Sequence, residues 1–448
     1  MHAINRTFVA LSTPQGVSGI AVVRMSGGLC SDVFEKIFGH RPVPRRAHFG
    51  IYRNLMDEEL DDVVVTYYRG PSSFTGNDML EISCHGNPII ISHILEDLCA
   101  RGFQLAEPGE FTRTAFLNGK FDLSQAEAVA DVIHASSDAA LKFARRQLSG
   151  ALGRILLAPE NTLLSLLAQV EASIDFPEDI SERNVPRAKI AGVRNSLEQL
   201  LRTVRHRNCL ERGVSAVLIG APNAGKSSLL NALLGRDRAL VSAIAGTTRD
   251  FIEESIALGS WRLTLIDTAG IGAANGELEA LAVARSVERA MESDLLLWVI
   301  DRSDTTICAP LDFSQLAKRR GVIILNKKDL PMALDAGHPL LTDIRWPVVE
   351  ISTKAPRDID TLRSFLECHV KKINLVPDEE EILVNYRHAE LLRVAIEALL
   401  LAEDISDKCE ELLASELRRA IDAIAAINGA ETSEAVLDRI FSQFCIGK

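Results

Sequence analysis

The run Gly220-Ala221-Pro222-Asn223-Ala224-Gly225-Lys226-Ser227 stands directly after the apolar stretch Val214 to Ile219 and directly before Ser228-Leu229-Leu230-Asn231-Ala232-Leu233-Leu234, a helical pattern. A GxxxxGK[ST] spacing between a strand and a helix is that of a phosphate-binding loop. Its glycines let backbone amides wrap phosphates, and the helix N-terminus favours their negative charge. Lys226 is placed to reach the β and γ phosphates, and Ser227 to put a hydroxyl on Mg²⁺. The same alternation continues on the C-terminal side, where Trp261 to Ile266, Leu295 to Ile300, Val322 to Leu325 and Val348 to Ile351 read as further strands separated by helices. The pattern predicts an α/β P-loop domain with a doubly wound sheet.

A phosphate loop alone does not choose between adenine and guanine. Asp267-Thr268-Ala269-Gly270 ends an apolar strand, where the carboxylate can hold Mg²⁺ through water and the glycine amide can meet a γ-phosphate. Asn326-Lys327-Lys328-Asp329 follows Val322 to Leu325, and an aspartate there can accept from N1 and the 2-amino group of guanine, a donor pair that adenine lacks. Ser352-Thr353-Lys354 completes a base-side loop. Between the first two motifs lies Ser242-Ala243-Ile244-Ala245-Gly246-Thr247-Thr248-Arg249-Asp250, in which Thr248 is read as the second hydroxyl ligand of Mg²⁺. The phosphate loop, Asp267-Thr268-Ala269-Gly270, Asn326-Lys327-Lys328-Asp329 and Ser352-Thr353-Lys354, four motifs in this order and each at the C-terminal edge of a strand, predict a GTPase domain.

The 448 residues exceed what this domain needs and give a soft prior of about three domains. Lys and Arg total 49 against 61 Asp and Glu, a formal charge of −12, which excludes a globally basic shell for nucleic acid. Any RNA contact must use a local patch or be shared with a partner. The eight cysteines, at 30, 84, 99, 209, 308, 368, 409 and 445, show no CxxC spacing and are expected to be mostly reduced core thiols. With no charged and apolar leader, and no uncharged apolar run near the ~18 residues a bilayer requires, a cytoplasmic protein without membrane contact is expected.

Ahead of the nucleotide motifs, Phe8 to Leu11, Ile20 to Arg24, Asp62 to Tyr68 and Met79 to Ile82 read as strands, and Ile89 to Ala100 as a helix, giving an α+β domain over residues 1–116. From Asp122 the texture is helical, opening on Ser124-Gln125-Ala126-Glu127 read as a capping box and interrupted at Pro159, Phe176-Pro177 and Pro186. A second helical block carries Leu391, Leu392, Ala395, Ile396, Leu399 and Leu400 as one stripe. The expected organisation is an all-α domain built from residues 117–212 and 376–448, with the GTPase domain, 213–375, inserted between its halves.

The nucleotide motifs resemble those of the TrmE-Era-EngA-type GTPases. The order of domains narrows the resemblance to the MnmE (TrmE) family of tRNA-modification GTPases. So do Pro108-Gly109-Glu110-Phe111-Thr112, Ala115-Phe116-Leu117-Asn118-Gly119-Lys120 and the terminal Phe444-Cys445-Ile446-Gly447-Lys448. Where Ras-like enzymes carry a water-orienting Gln, this chain has Ile271, which cannot orient water. Glu277 and Glu279 follow, and the resemblance implies that Glu279 is the catalytic acid. It also implies a K⁺ ion in place of an arginine finger, activated by pairing of GTPase domains, with Asn223, Ser242, Ile244 and Thr247 as its ligands. Ser242 stands where the family commonly has Thr.

For the N-terminal domain the resemblance implies constitutive homodimerisation and a 5-formyltetrahydrofolate-type cofactor contacted by Arg24, Glu81, Lys120 and Lys448. Asn77 and Asn87 replace the family's usual Glu and Gly at the rim. Cys445 is read either as a nucleophile or as an inert buried thiol. The implied function is GTP hydrolysis coupled, in a heterotetramer with an FAD-dependent MnmG-like partner, to adding an aminomethyl or carboxymethylaminomethyl group at C5 of the wobble uridine of certain tRNAs. The alternative is a ribosome-assembly switch of the Era or EngA type, for which a KH module or second GTPase domain would speak; neither is visible.

Overall fold

The computed structural model describes residues 6–176, 187–204, 209, 213–235, 253–267, 292–305, 319–334, 344–372, 381–405, 409–430 and 432–448. Its contacts divide the chain into two compact units. One comprises residues 1–134, 144–198 and 387–448, the other residues 135–143 and 199–386. The expected boundary at 116/117 falls inside the first unit.

The first unit opens with strands β1 (Phe8–Leu11), β2 (Ser18–Ser26), β3 (Ala47–Arg53), β4 (Glu59–Tyr68), β5 (Met79–Gly86) and β6 (Gln104–Leu105), with α1 (Cys30–Phe38) after β2 and α2 (Pro88–Ala100) after β5. They form one sheet in the order β3-β4-β5-β2-β1-β6, antiparallel except for β1 and β6. Period-two alternation sends Val63, Val65 and Tyr67 of β4, Val23 and Met25 of β2, and Leu80, Ile82 and Cys84 of β5 to one face. There they bury against Val33, Phe34 and Ile37 of α1 and Ile91, Ile94 and Leu98 of α2. Asn87 caps α2, its side chain accepting from Ile89 N at 2.9 Å. Strand β3 and helix α1 are not legible in the sequence. β3 is an edge strand interrupted by Gly50, and α1 has only nine residues.

The chain continues through α3 (Glu110–Leu117), α4 (Leu123–His134), α5 (Asp138–Leu148), α6 (Ala151–Asp175) and α7 (Arg187–Arg202). Helix α4 is capped two residues earlier than the sequence suggests. Asp122 Oδ1 accepts from Gln125 N at 2.8 Å, and Gln125 Oε1 accepts from Asp122 N at 3.0 Å. This reciprocal pair is the capping box, because Glu127 is engaged elsewhere. Nor does Pro159 interrupt α6, which runs unbroken over 25 residues. Burial of Leu152, Leu156, Leu163, Leu166 and Val170 along it offsets the ~3 kcal/mol that an interior proline costs.

In the second unit β7 (Val214–Ile219), α8 (Lys226–Leu234), β8 (Glu253–Leu258), β9 (Trp261–Asp267), β10 (Leu295–Asp301), β11 (Gly321–Asn326), β12 (Val348–Glu350) and α9 (Pro356–Lys372) follow in order. The sheet runs β12-β11-β10-β7-β9-β8, parallel apart from the β8–β9 hairpin. Strand β10, Leu-Leu-Leu-Trp-Val-Ile-Asp, is buried at every position but the last, as an apolar run covered on both faces must be. Val217, Leu296, Trp298 and Ile323 line one layer, and Leu218, Leu297, Val299 and Ile324 the other.

Helices α10 (Tyr386–Asp404), α11 (Glu410–Ile427) and α12 (Glu434–Phe441) end the chain, belonging from Arg387 onward to the first unit. Of the expected stripe on α10, Leu392, Ala395, Ile396 and Leu399 are buried, but Leu400 is 47% exposed, one step past the contact face. The α+β domain, the helical domain and the inserted α/β domain are all present. Among the described residues no helix is long and apolar enough to cross a membrane.

Candidate functional site

Two clusters of functional side chains form, one in each unit. In the second, the phosphate loop joins β7 to α8 as the sequence predicts. Asn223 adopts φ +65° and Gly225 φ +100°, so the loop turns through left-handed backbone that points successive amides inward. A Cβ on Gly225 would stand 2.1 Å from Asn326 Nδ2, so only glycine admits this approach. Lys226, 9% exposed, donates from Nζ to Gly220 O at 2.8 Å and Ala221 O at 2.9 Å, holding its ammonium over the loop. Ser227 and Ser228 open α8 next to it.

The base-side loops leave the neighbouring strands at the same edge. Asn326, the last residue of β11 and 1% exposed, donates from Nδ2 to Ala224 O at 2.9 Å and accepts at Oδ1 from Thr353 N at 3.3 Å. One side chain therefore ties the phosphate loop to the Ser352-Thr353-Lys354 loop. Asp329 Oδ1 accepts from Ser352 Oγ at 2.7 Å and Oδ2 from Lys354 Nζ at 3.1 Å. The Ser352 hydroxyl and then the Lys354 ammonium hold the Asp329 carboxyl below its ordinary value. It is an acceptor at neutral pH, with lone pairs left for a donor pair on a base. Asp358 Oδ2, accepting from Ser352 N at 2.8 Å, fixes that loop from α9. Lys327 pairs with Asp301 at the end of β10. Neither Asp301 nor Asp358 stands in a motif that sequence reading could single out, and only the fold brings them to this edge.

Asp267 closes β9, paired in register with Leu218 of β7, which places its backbone beside the phosphate loop. The remaining expected nucleotide, Mg²⁺ and K⁺ contacts fall at Ser242 to Thr248 and Thr268 to Gly270, and Ile271, Glu277 and Glu279 follow. All of these positions lie outside the described residues.

The second cluster lies on the sheet face of the first unit opposite α1 and α2. Arg24 of β2 and Glu81 of β5 are cross-strand partners. Arg24 Nε and Nη2 reach Glu81 Oε1 at 2.9 and 2.7 Å, and Tyr68 Oη donates to Glu81 Oε2 at 3.2 Å. The guanidinium carbon sits 5.8 Å from the Phe111 ring centroid. The C-terminal tail completes the group. Gly447 O accepts from Arg24 Nη1 at 3.3 Å and Ser12 Oγ at 3.2 Å, and Lys448 O accepts from Phe111 N at 3.2 Å. Gly447 has φ +91°, and a Cβ there would meet Leu11 O at 2.6 Å. Burial, then the Arg24 charge, pushes the Lys448 side-chain ammonium below its ordinary pKa.

The structure therefore brings Arg24, Glu81 and Lys448 together. Lys120 instead donates to Pro71 O at 2.8 Å on the loop after β4, where Asn118 Nδ2 also meets Thr75 O at 2.7 Å and Asn77 Oδ1 at 3.3 Å. Tyr68 and Ser12 join the cluster unannounced by sequence; Tyr68 shares the strand alternation that aims Thr66 at the same face. Cys445 is exposed, so its reading as a buried thiol does not hold. Of the seven described cysteines, all free, only Cys30 and Cys84 are buried, which corrects the expectation that most are core thiols. Carboxylate, guanidinium, phenol and ammonium on one apolar-backed face suit a ligand that is both a hydrogen-bond donor and an anion.

Comparison with known proteins covers both units. Residues 7–120 match the family described as GTP-binding protein TrmE N-terminus, and residues 123–445 match MnmE helical domain. A protein of Opitutus terrae named tRNA modification GTPase MnmE is 44% identical over 456 residues, covering 100% of both chains. Proteins of the same name from Aquifex aeolicus and Chlorobium chlorochromatii are 39% and 38% identical. The former covers 98% of this chain and 99% of its own, the latter 98% of each.

Proposed function

Because the chain belongs to the MnmE family of GTPases, we propose that it hydrolyses GTP to GDP and phosphate at the edge of β7, β10 and β11 and uses that cycle in modifying tRNA. The finer reading is addition of an aminomethyl or carboxymethylaminomethyl group at C5 of the wobble uridine, in a heterotetramer with an FAD-dependent MnmG-like protein. The observation that carries the nucleotide assignment is the Asn326 bridge, which presents the phosphate loop and an ionised Asp329 as one surface.

In that reading Lys226 and the loop amides hold the phosphates. Ser227, with Thr248, would ligate Mg²⁺, which supplies charge neutralisation at the γ-phosphate. Asn223, whose φ of +65° puts it at the loop's turn, would with Ser242, Ile244 and Thr247 hold K⁺. Its amide carbonyl is a hard oxygen suited to that ion. Glu279 would accept a proton from the attacking water. The N-terminal domain would form the homodimer and bind a 5-formyltetrahydrofolate-type folate. The residues fit such a group: Glu81 offers a carboxylate to a guanidine-like pterin edge, and Arg24 and Lys448 are cations for an anionic tail. The folate would supply a one-carbon unit, and the partner's flavin would supply redox chemistry.

The test is to delete the gene, map the modified nucleosides of bulk tRNA, and copurify the tagged chain. Loss of C5-substituted wobble uridine together with recovery of a flavoprotein is expected. An unchanged nucleoside profile alongside a ribosome-assembly defect would overturn the reading in favour of an Era-like switch.

A further inference from the structure

Asp301 stands outside every nucleotide motif, yet its carboxylate accepts three hydrogen bonds at the edge of the nucleotide sheet. It is the last residue of β10 and pairs in register with Asn326, the last residue of β11. Oδ1 accepts from Ser303 N at 2.9 Å and Ser303 Oγ at 2.6 Å, while Oδ2 accepts from Lys327 Nζ. Arg302 N donates to Asn326 O at 3.2 Å, so the turn after β10 is also tied to the base-side loop through backbone. Burial alone pushes the Asp301 carboxyl up, but the Lys327 ammonium and the Ser303 donors outweigh it and keep it below its ordinary value.

Lys327 is equally constrained at its other end. Its φ of +62° is left-handed backbone, uncommon for a residue with a side chain, and it follows directly on the buried Asn326. A lysine ordinarily holds a large reserve of rotamer freedom, up to about 2 kcal/mol. Here the four-carbon stem is fixed at Cα by the turn and at Nζ by Asp301, leaving the methylenes held between two anchors, two residues before Asp329 in the chain. A stem of this kind has an apolar flank suited to the flat face of a purine, and with its charge already satisfied the head has no reason to swing away.

We propose that Asp301 is a positioning residue for nucleotide binding, gripping the Lys327 ammonium so that the Lys327 stem is preset as a platform for the base. This rests on the reading of Asn326-Lys327-Lys328-Asp329 as the base-side loop. A platform contact is blind to the exocyclic groups of the base, whereas Asp329 reads them. The two residues therefore leave different signatures. An ordinary half-exposed ion pair would contribute little to anything but local stability.

The experiment uses the full-length chain and titrates GDP and IDP, the latter lacking the 2-amino group, against wild type, Asp301→Ala, Asp301→Glu, Lys327→Ala, the Asp301→Ala/Lys327→Ala double variant and Asp329→Asn, with unfolding temperatures alongside. Asp301→Ala is expected to weaken GDP and IDP equally, by about ten-fold, the order of one charge-assisted contact. The GDP-to-IDP ratio should hold, Asp301→Glu should regain part of the loss, and the double variant should bind no worse than Lys327→Ala. Wild-type affinity in Asp301→Ala, or losses that add in the double variant, would overturn the proposal. So would a loss that follows a drop in unfolding temperature and is not rescued by Asp301→Glu. The premise fails separately: if Asp329→Asn leaves the GDP-to-IDP ratio at the wild-type value, this loop does not read the base, whatever Asp301 does.

Discussion

Replacing Asn326 by alanine should loosen the phosphate loop and the base-side loop together. The side chain is 1% exposed and bridges Ala224 O and Thr353 N at 2.9 and 3.3 Å. Its removal strands both partners. Ala224 is 2% exposed, so its carbonyl bears the full penalty of an unsatisfied buried group, about 1–3 kcal/mol, while the half-buried Thr353 amide can recover part of its loss from water. The total is about 2–3 kcal/mol. For a unit of this size each kcal/mol corresponds to roughly 2–4 °C, so calorimetry should show one transition lowered by roughly 5–10 °C. Because the same bond holds the two halves of the nucleotide site in register, GDP affinity in an equilibrium titration should fall at least about ten-fold. Asn326→Asp is a sharper version. It keeps an acceptor for Thr353 but turns an oxygen towards Ala224 O, and should be at least as damaging as alanine. Wild-type GDP affinity and unfolding temperature in Asn326→Ala would refute the bridge as the element that assembles the site.

Asp329→Asn should weaken guanine nucleotides by several kcal/mol at ~1–3 kcal/mol per unpaired group, while ATP, expected to bind poorly to the wild type as well, should change little in a competition titration. Glu127 accepts from Arg387 Nε at 2.8 Å, Arg387 Nη2 at 3.0 Å and His388 Nε2 at 2.9 Å. Although burial pushes its carboxyl up, His388 and Arg387 together hold it well below the ordinary range. Its stabilising contribution is therefore present above the unfolded-state value near 4.5 and disappears as pH falls below that. Glu127→Gln should cost about 3–5 kcal/mol at neutral pH, and its deficit should narrow on acidification in urea unfolding. Gly447→Ala, with its Cβ driven to 2.6 Å from Leu11 O, should dislodge the tail from Arg24 and lower 5-formyltetrahydrofolate binding in calorimetry without altering GDP affinity. GTP turnover should be much faster in potassium than in sodium, since an arginine finger is worth about 10³–10⁵ in rate. Asn223→Ala should erase that difference, and Glu279→Ala should slow turnover in both salts. Equal wild-type rates in the two salts would exclude the K⁺ role.

Short-range rules are enough for much of this protein. The phosphate loop, the guanine-type motif and the apolar runs of β7, β10 and β11 are legible because each is contiguous and its chemistry is set by residue type and spacing. Local signals mislead where a longer-range partner outweighs them. Pro159 does not end α6, because packing along the helix exceeds one lost hydrogen bond. Ser124 yields the cap of α4 to Asp122, and Glu127 turns to Arg387, 260 positions away. The tertiary structure alone sets Asp301 on Lys327 and Asn326 on Ala224, pairings between strand ends and loops that no spacing encodes. It likewise threads Gly447 and Lys448 to Arg24 and Phe111, more than 300 residues back. Composition and periodicity specify which faces must be buried. Which polar groups then meet is settled only when sheet order and register bring their backbones within hydrogen-bonding distance.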